Sequence, residues 1–246
     1  MSDEQIIEQA PAMLRAEGVI AGYGGIPVLK GVDFEILPGE LVGLIGGNGA
    51  GKSTLLRVLA GELPVNEGRV EVGTLQTQGR PRLFRLAQEP ELPGFLNLEE
   101  IVTLAIRAWR QDIPSPADLA RELLVRWGLE GRVDRPIRVA SPGEVRRTLL
   151  AVVDAVRPGV LLLDEVLSAL DPRVLPQAED LVDSLAAEGG VTVLVTHDMG
   201  LAERVPSKIL LLDSGRIAAQ WTREWIAEER SKGRTLYDLF LEHTAS

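Results

Sequence analysis

Residues 46–54 read GGNGAGKST; the apolar run LVGLIG (41–46) leads into them and the helix-like pattern LLRVLAG (55–61) follows. A strand, a glycine-rich loop ending in Gly-Lys-Ser and a helix, in this order, are typical of a phosphate-binding loop. The glycines let backbone N–H groups curve around phosphate oxygens. The stretch therefore predicts an α/β fold built around a nucleotide phosphate site.

Two side chains of this loop carry its chemistry. Lys52 would bring a positive charge to the β- and γ-phosphate oxygens, and Ser53 would offer its hydroxyl to Mg²⁺. Only four of the 26 basic residues are lysines, so a chain that otherwise uses arginine has an ammonium at this position. The residues predicted to contact the cofactors, ATP with Mg²⁺, are Gly46, Gly47, Asn48, Gly49, Ala50, Gly51, Lys52, Ser53 and Thr54.

Acidic residues close a second apolar run, VLLLDE at 160–165, where Asp164 and Glu165 end the predicted strand. Open α/β sheets bind their ligands at the carboxyl ends of strands. We expect Asp164 to hold Mg²⁺ and Glu165 to polarise the water that attacks the γ-phosphate. His197 follows the run VTVLVT (191–196) in the same way, and we expect it to hydrogen-bond the phosphate and the catalytic carboxylate.

Composition narrows the class of protein further. The chain has 246 residues, of which 45% are hydrophobic, and its formal charge of −10 argues against nucleic acid as a partner. The absence of cysteine excludes disulfides and cysteine-based metal sites. No apolar run approaches the roughly 20 residues that a membrane-spanning helix needs. The acidic start MSDEQIIEQAP lacks the pattern of a secretory signal, so we expect the mature chain to keep it.

Apolar runs alternate with helical patterns, which predicts a mostly parallel sheet covered on both faces. Residues 16–46 carry glycine and proline turns, and this pattern is typical of an N-terminal antiparallel β region. Helices are predicted at 98–109 and 117–127, the second opened by a Ser115 cap and Pro116. The predicted strands of the parallel sheet are LVGLIG (41–46), RLFRLA (82–87), VLLLD (160–164), VTVLVT (191–196) and KILLLD (208–213).

We expect one domain over residues 1–246. Its core is predicted at 14–91 and 159–220, with an inserted helical subdomain at 92–158 and a C-terminal helical tail at 221–246. The tail is preceded by the strand-like GRIAAQW and holds two amphipathic helices, whose apolar stripe is expected to pack on the core. The residues of that stripe are Trp221, Trp225, Ile226, Leu236, Leu239 and Phe240.

The stretch RVASPGEVRR (138–147) has two interpretations. In the first, Ser141 caps a helix, Pro142 occupies its first turn and Glu144 reaches back to the cap. In the second, the exposed amides and the positive dipole of this helix end bind a phosphate of another molecule.

Four motifs in this order, GGNGAGKST, VLLLDE, SALD (168–171) and VTHD (195–198), resemble the ATP-binding subunit of an ABC transporter over roughly residues 14–215. The resemblance implies a P-loop NTPase core and two such subunits that sandwich two ATP molecules head to tail. By position, Tyr23 resembles the aromatic residue that stacks on adenine. Gln88 resembles the glutamine that joins the Mg²⁺ shell and senses the membrane partner. Asp171 resembles the residue that crosses the dimer, and His197 the switch histidine.

The segment ASPGE (140–144) stands where this family has LSGGQ. Ser141 and Gly143 match, and the resemblance implies that they bind the γ-phosphate of ATP on the second subunit. Glu144 departs, and we expect its charge to repel that phosphate, with Arg146 and Arg147 offsetting part of the repulsion. Val166-Leu167 departs as well, because Pro-Thr or Pro-Ser is usual there. Both departures bear on the efficiency of hydrolysis rather than on the fold.

The resemblance implies a cytoplasmic ATPase subunit, peripheral on the inner face of the cell membrane, that drives transport through a separate membrane-embedded partner. Gln88 and residues 92–110 are expected to dock on that partner. The ending RTLYDLFLEHT (234–244) resembles the tail of ABC-2-type exporter ATPases and favours export. Two alternatives stay open: a soluble ABC ATPase acting on ribosomes or DNA, and a regulatory subunit that binds ATP with little turnover.

Overall fold

The computed structural model describes residues 13–73 and 83–244. The predicted N-terminal segment 1–12 and Arg82, the first residue of one predicted strand, lie outside the described residues. Within them, nine strands form two sheets. The strands are β1 (Leu14–Tyr23), β2 (Ile26–Ile36), β3 (Leu41–Ile45), β4 (Glu67–Val72), β5 (Leu83–Leu86), β6 (Val160–Asp164), β7 (Val191–Val195), β8 (Lys208–Asp213) and β9 (Arg216–Thr222).

The larger sheet has six strands in the order β5-β6-β7-β3-β8-β9. All its neighbouring pairs are parallel except β8 and β9, which form an antiparallel hairpin. Every residue of β3, β6 and β7 is buried, as expected for central strands covered on both faces. The five strands predicted for the parallel sheet are confirmed.

The smaller sheet is antiparallel, with β1 between β2 and β4. The antiparallel β region predicted near the N terminus is thus confirmed in β1 and β2. Its third strand, β4, has the sequence EGRVEV and is mostly exposed, so its apolar pattern is too weak to predict it.

Eight helices are present among the described residues. They are α1 (Lys52–Leu59), α2 (Leu98–Trp109), α3 (Pro116–Arg126), α4 (Pro142–Val156), α5 (Leu175–Ala187), α6 (Met199–Arg204), α7 (Arg223–Ser231) and α8 (Leu236–Thr244). None of them is long and apolar enough to cross a membrane.

Helix starts follow the sequence in part. Asn97 and Glu100 form a reciprocal capping box at the start of α2, with both hydrogen bonds at 2.8 Å. The predicted cap of α3 is wrong in one respect: Pro116 occupies the first turn, but the Ser115 side chain makes no capping hydrogen bond. Pro116 alone already fixes a helical φ and removes one unpaired N–H, so the helix starts without that side chain.

Alternation along the central strands divides the core between two faces of the large sheet. Leu161 and Leu163 of β6 pack with α2, α3, α4 and α5 in one hydrophobic cluster. Val160 and Leu162 point the other way, into a cluster that holds α1 and the antiparallel sheet.

The C-terminal tail packs on the sheet, as predicted. Trp221, Ile226, Leu236 and Leu239 are buried in a third cluster that includes residues of β3 and β8. Trp221 lies on β9 rather than on a helix, and Trp225 stacks on it with ring centroids 6.1 Å apart. Phe240 is partly buried against the same cluster.

Candidate functional site

The loop of residues 46–51 joins the end of β3 to the start of α1 and is fixed by its glycines. A Cβ on Gly46 would lie 2.2 Å from the carbonyl oxygen of Leu212 on β8, so the loop can pass there only as glycine. Gly51, the residue before α1, has a φ of 108°, which L side chains rarely adopt. The loop therefore delivers the positive N-terminal end of α1 to the carboxyl edge of the sheet.

Lys52 lies at the centre of this loop. Its Nζ donates hydrogen bonds to the carbonyl oxygens of Gly46 at 2.8 Å and Gly47 at 3.0 Å. Burial lowers the pKa of Lys52, while the charges of Glu165 and Asp164 act against burial. The ammonium thus belongs to a local cluster of opposite charges rather than to open solvent.

A cleft of about 510 Å³ opens over the loop and brings together residues that are far apart in sequence. Gln88 follows β5, Asp164 and Glu165 end β6, and His197 follows β7. The predicted site residues that line the cleft are Asn48, Gly49, Gly51, Lys52, Ser53, Thr54, Gln88, Asp164, Glu165 and His197.

Hard oxygen donors converge beside Lys52. The Ser53 hydroxyl donates to Asp164 Oδ1 at 3.5 Å, and Gln88 lines the same cleft. Burial raises the pKa of Asp164 and the charge of Glu165 adds to this, whereas the Ser53 hydrogen bond and the charge of Arg85 act in the opposite direction. Mg²⁺ prefers oxygen ligands and is usually bound by one or two carboxylates together with substrate phosphates, so a set with the single carboxylate of Asp164 fits Mg²⁺.

Glu165 and His197 form a direct pair in the same cleft. His197 Nδ1 lies 2.7 Å from Glu165 Oε2, and the imidazole is 78% exposed. The backbone N–H of Glu165 donates to the Val195 carbonyl at 3.1 Å, which fixes the residue between β6 and β7. The predicted hydrogen bond between His197 and this carboxylate is confirmed.

A family profile described as "ABC transporter" matches residues 29–168, more than half of the chain. The chain belongs to the ABC transporter family. The hemin import ATP-binding protein HmuV of Streptomyces coelicolor is 39% identical over 217 residues, which cover 83% of this chain and 76% of that protein. The glutamine transport ATP-binding protein GlnQ of Bacillus subtilis is 34% identical over 214 residues, which cover 83% of this chain and 88% of that protein.

Solved structures agree with this assignment. An ATP-binding subunit of an ABC transporter superposes with a TM-score of 0.83 at 28% identity, covering 94% of this chain and 99% of that one. A dimeric ATP-binding cassette in a post-hydrolysis state, bound to ADP and Pi, superposes with a TM-score of 0.76 at 25% identity. The match covers 86% of this chain and 99% of that one. The chain is thus an ABC ATPase subunit that binds ATP with Mg²⁺. Its partners are a membrane-embedded transporter subunit and a second ATP-binding subunit.

Seven predicted site residues are not part of the cleft lining: Gly46, Gly47 and Ala50 of the loop, and Tyr23, Ser141, Gly143 and Asp171 elsewhere. Tyr23 is 45% exposed at the end of β1, and its hydroxyl accepts a hydrogen bond from Arg57 of α1 at 3.3 Å. Asp171 is exposed and caps a turn by accepting from the Arg173 N–H at 2.8 Å. Ser141 and Gly143 lie at the start of α4, on the surface.

The start of α4 is a complete capping box. The Ser141 hydroxyl accepts from the Glu144 N–H at 3.3 Å, and Glu144 Oε2 accepts from the Ser141 N–H at 2.7 Å. A hydroxyl has two lone pairs and one proton, so Ser141 can cap the helix and still donate to a phosphate. The two interpretations of this stretch are therefore compatible at the same time.

The expected repulsion between Glu144 and a phosphate stays a prediction, but the structure shows that this charge is compensated by contacts that the sequence did not predict. Its side chain is buried and ion-paired with Arg132 and Arg135. Arg147 donates to the carbonyl oxygens of Trp127 and Gly128 and, at 3.4 Å, to that of Gly143, so its guanidinium lies near the start of α4 and its expected role stays a prediction. Arg132 and Arg135 were missed because no local spacing links a loop arginine to a helix nine or twelve residues later.

The second departure from the family pattern also has a structural explanation. Val166 and Leu167 are buried at 4% and 1% exposure and belong to the helix-side hydrophobic cluster. Two apolar side chains suit this position, because the chain directly after Glu165 enters the hydrophobic core.

Glu165 itself has a φ of 57°, in the left-handed region. This conformation costs an L residue about 1–2 kcal/mol. We expect Glu165→Gly to raise the free energy of unfolding by about 1 kcal/mol, measured by urea denaturation, and Glu165→Gln to leave it unchanged. Ser214 has a φ of 48° in the turn between β8 and β9 and is a matched position. We expect Ser214→Gly to raise the free energy of unfolding by a similar amount. Equal stability of Glu165→Gly and Glu165→Gln would contradict the assignment of strain.

Proposed function

We propose that the cleft hydrolyses MgATP, with Lys52 holding the phosphates and Glu165 orienting the attacking water. The observation that carries this is the 2.7 Å Glu165–His197 pair, which faces the cleft that Lys52, Ser53 and Asp164 also line. A carboxylate accepts hydrogen bonds only, so Glu165 can take a proton of the water while another oxygen lone pair stays bonded to His197.

His197 adds a condition on protonation. If Nδ1–H donates to Glu165, the Nε2 atom of a neutral ring is an acceptor and cannot donate to a phosphate. The imidazolium donates from both nitrogens, so it can bridge the carboxylate and the γ-phosphate. Mg²⁺, which Ser53, Asp164 and Gln88 would hold, supplies charge neutralisation at the phosphates when bound.

ATP affinity tests the phosphate site. We expect Lys52→Ala to weaken MgATP binding by at least about tenfold, because it removes a charge that acts on the β/γ oxygens, as measured by calorimetry. Lys208→Ala is the matched control, since its ammonium donates to the Glu35 carbonyl away from the cleft. If Lys52→Ala and Lys208→Ala bound MgATP with equal affinity, Lys52 would not hold the phosphates.

Turnover tests the water-orienting carboxylate. Glu165→Gln keeps the side-chain shape and loses the negative charge, so we expect MgATP affinity to persist while phosphate release falls by about 10²-fold or more. The variant should then accumulate a dimer with MgATP but not with MgADP, detected by light scattering. Phosphate release at the wild-type rate would place the catalytic base elsewhere.

We infer that this subunit serves import and lies at the inner face of the membrane. The support is that HmuV, its 39% identical relative, is named an import protein. The motif that favoured export is explained by packing, because Leu236 and Leu239 of that segment are buried in the core. A reconstituted complex with ATP inside vesicles should accumulate external cargo, with hemin and glutamine as the first candidates; ATP-driven loss of enclosed cargo would indicate export.

Docking on the membrane partner is proposed at the loop before α2. Phe95 is 76% exposed there. A groove of about 270 Å³ runs nearby between Gln88–Pro90 and the start of α4, lined by Ala140, Pro142 and Val145 among others. Exposed apolar surface beside a groove is typical of a protein contact.

Substitution at this loop tests the proposal. We expect Phe95→Asp to abolish co-purification of the membrane partner and its stimulation of ATPase activity, because a charge would be buried in the contact. Tyr237→Asp is the control, since this aromatic ring is 53% exposed on the C-terminal tail. Unchanged co-purification by Phe95→Asp would move the docking surface.

A further inference from the structure

Glu144 is a fully satisfied buried carboxylate at the N-terminal end of α4. Its Oε1 accepts from Arg132 Nη1 at 2.5 Å and from Arg135 Nη1 at 3.0 Å. Its Oε2 accepts from Arg135 Nη1 at 3.1 Å and from the Ser141 N–H at 2.7 Å. Three donor atoms of this chain thus make four contacts with the carboxylate, and both of its oxygens accept hydrogen bonds.

These contacts set the charge at the helix end. Burial by itself would raise the pKa of the Glu144 carboxyl, but the hydrogen bonds from Ser141, Arg132 and Arg135 outweigh it and lower the pKa from 4.5 to about 2. Glu144 is therefore ionised at neutral pH. The two guanidinium groups therefore outweigh the single negative charge of the carboxylate with which they are paired.

Backbone hydrogen bonds hold both arginines in addition to their side-chain contacts with Glu144. The Arg135 carbonyl accepts from the Leu98 N–H at 3.2 Å, and the Arg132 N–H donates to the Leu129 carbonyl at 3.1 Å. Their side chains keep exposed fractions of 52% for Arg132 and 41% for Arg135. The cations thus cover Glu144 and still face the surface on which Ser141 and Gly143 lie.

The fold of this chain gives no reason for a glycine at 143. A Cβ there would meet nothing within 4 Å, and its φ lies outside the left-handed region. Its amide is at the second position of α4, where no carbonyl within the helix can accept from it. Together with the free proton of Ser141, this amide is a donor directed outward.

We propose that Arg132 and Arg135 are positioning residues for hydrolysis: they cancel the charge of Glu144, so that Ser141 and Gly143 can receive a phosphate of ATP held by the second ATP-binding subunit. This inference rests on the proposed function of the cleft. It replaces the expectation that Glu144 weakens the phosphate clamp.

The test uses the complete complex with its membrane partner, at a temperature where circular dichroism shows every variant folded. We expect Arg132→Ala/Arg135→Ala to lower kcat by about tenfold, because an uncompensated carboxylate then faces the incoming phosphate. Binding of ATP to the chain's own Lys52 site should not change. Adding Glu144→Gln to the double variant should restore kcat, since the charge that needed cancelling is gone. The loss should also shrink as salt is raised.

Matched variants separate this effect from general loss of surface charge. Arg121→Ala/Arg126→Ala removes two exposed, ion-paired arginines of α3 and should leave kcat unchanged. Wild-type kcat in folded Arg132→Ala/Arg135→Ala overturns the proposal, and so does a loss of kcat that Glu144→Gln fails to restore. A wild-type complex without ATPase activity would instead refute the proposed function of the cleft.

Discussion

Three adjacent parallel strands, β6, β7 and β3, end at one edge of the large sheet, and the whole candidate site depends on this shared edge. Pairing places Leu44 beside Val195 and Val195 beside Asp164. The residues that follow each strand therefore meet: the glycine-rich loop after β3, Glu165 after β6 and His197 after β7. Because the strands are buried on both faces, their register is fixed by the core. A slip of one residue would separate the Glu165–His197 pair from the glycine-rich loop.

Opposed charges at short distance stabilise both polar centres of the molecule. In the cleft, burial disfavours the charged forms of Lys52 and Asp164, and each is the counter-charge of the other. At α4, Glu144 is balanced by two cations and the helix amides. The centres differ in what they leave open. Lys52 keeps its contacts to two loop carbonyls, which a phosphate can replace, whereas both oxygens of Glu144 are bonded to donors of this chain.

The sequence predicted the features that local pattern controls. Continuous apolar runs located β3, β6, β7 and β8, and the residues ending them located Asp164, Glu165 and His197. Strand β4 was not predicted, because an exposed edge strand needs few apolar residues. The pairing of Arg132 and Arg135 with Glu144 was not predicted for another reason. The path of the loop before α4 sets this pairing, and no spacing rule describes that path. For the same reason the ion pairs that compensate Glu144 were not predicted from the sequence.

The capping box orders the start of α4, where the charge of Glu144 is compensated. Ser141 and Glu144 already satisfy the amides that the helix can satisfy internally, so the helix end is ordered in the isolated subunit. Binding a phosphate there then needs no new helix turn and no breaking of the cap, because the Ser141 proton and the Gly143 amide are not used by it. Donors fixed before the charge arrives lose little entropy on binding and stabilise it more strongly than mobile ones. We therefore expect that Glu144, in place of the family's glutamine, favours phosphate binding at Ser141 and Gly143 as long as its two arginines compensate its charge.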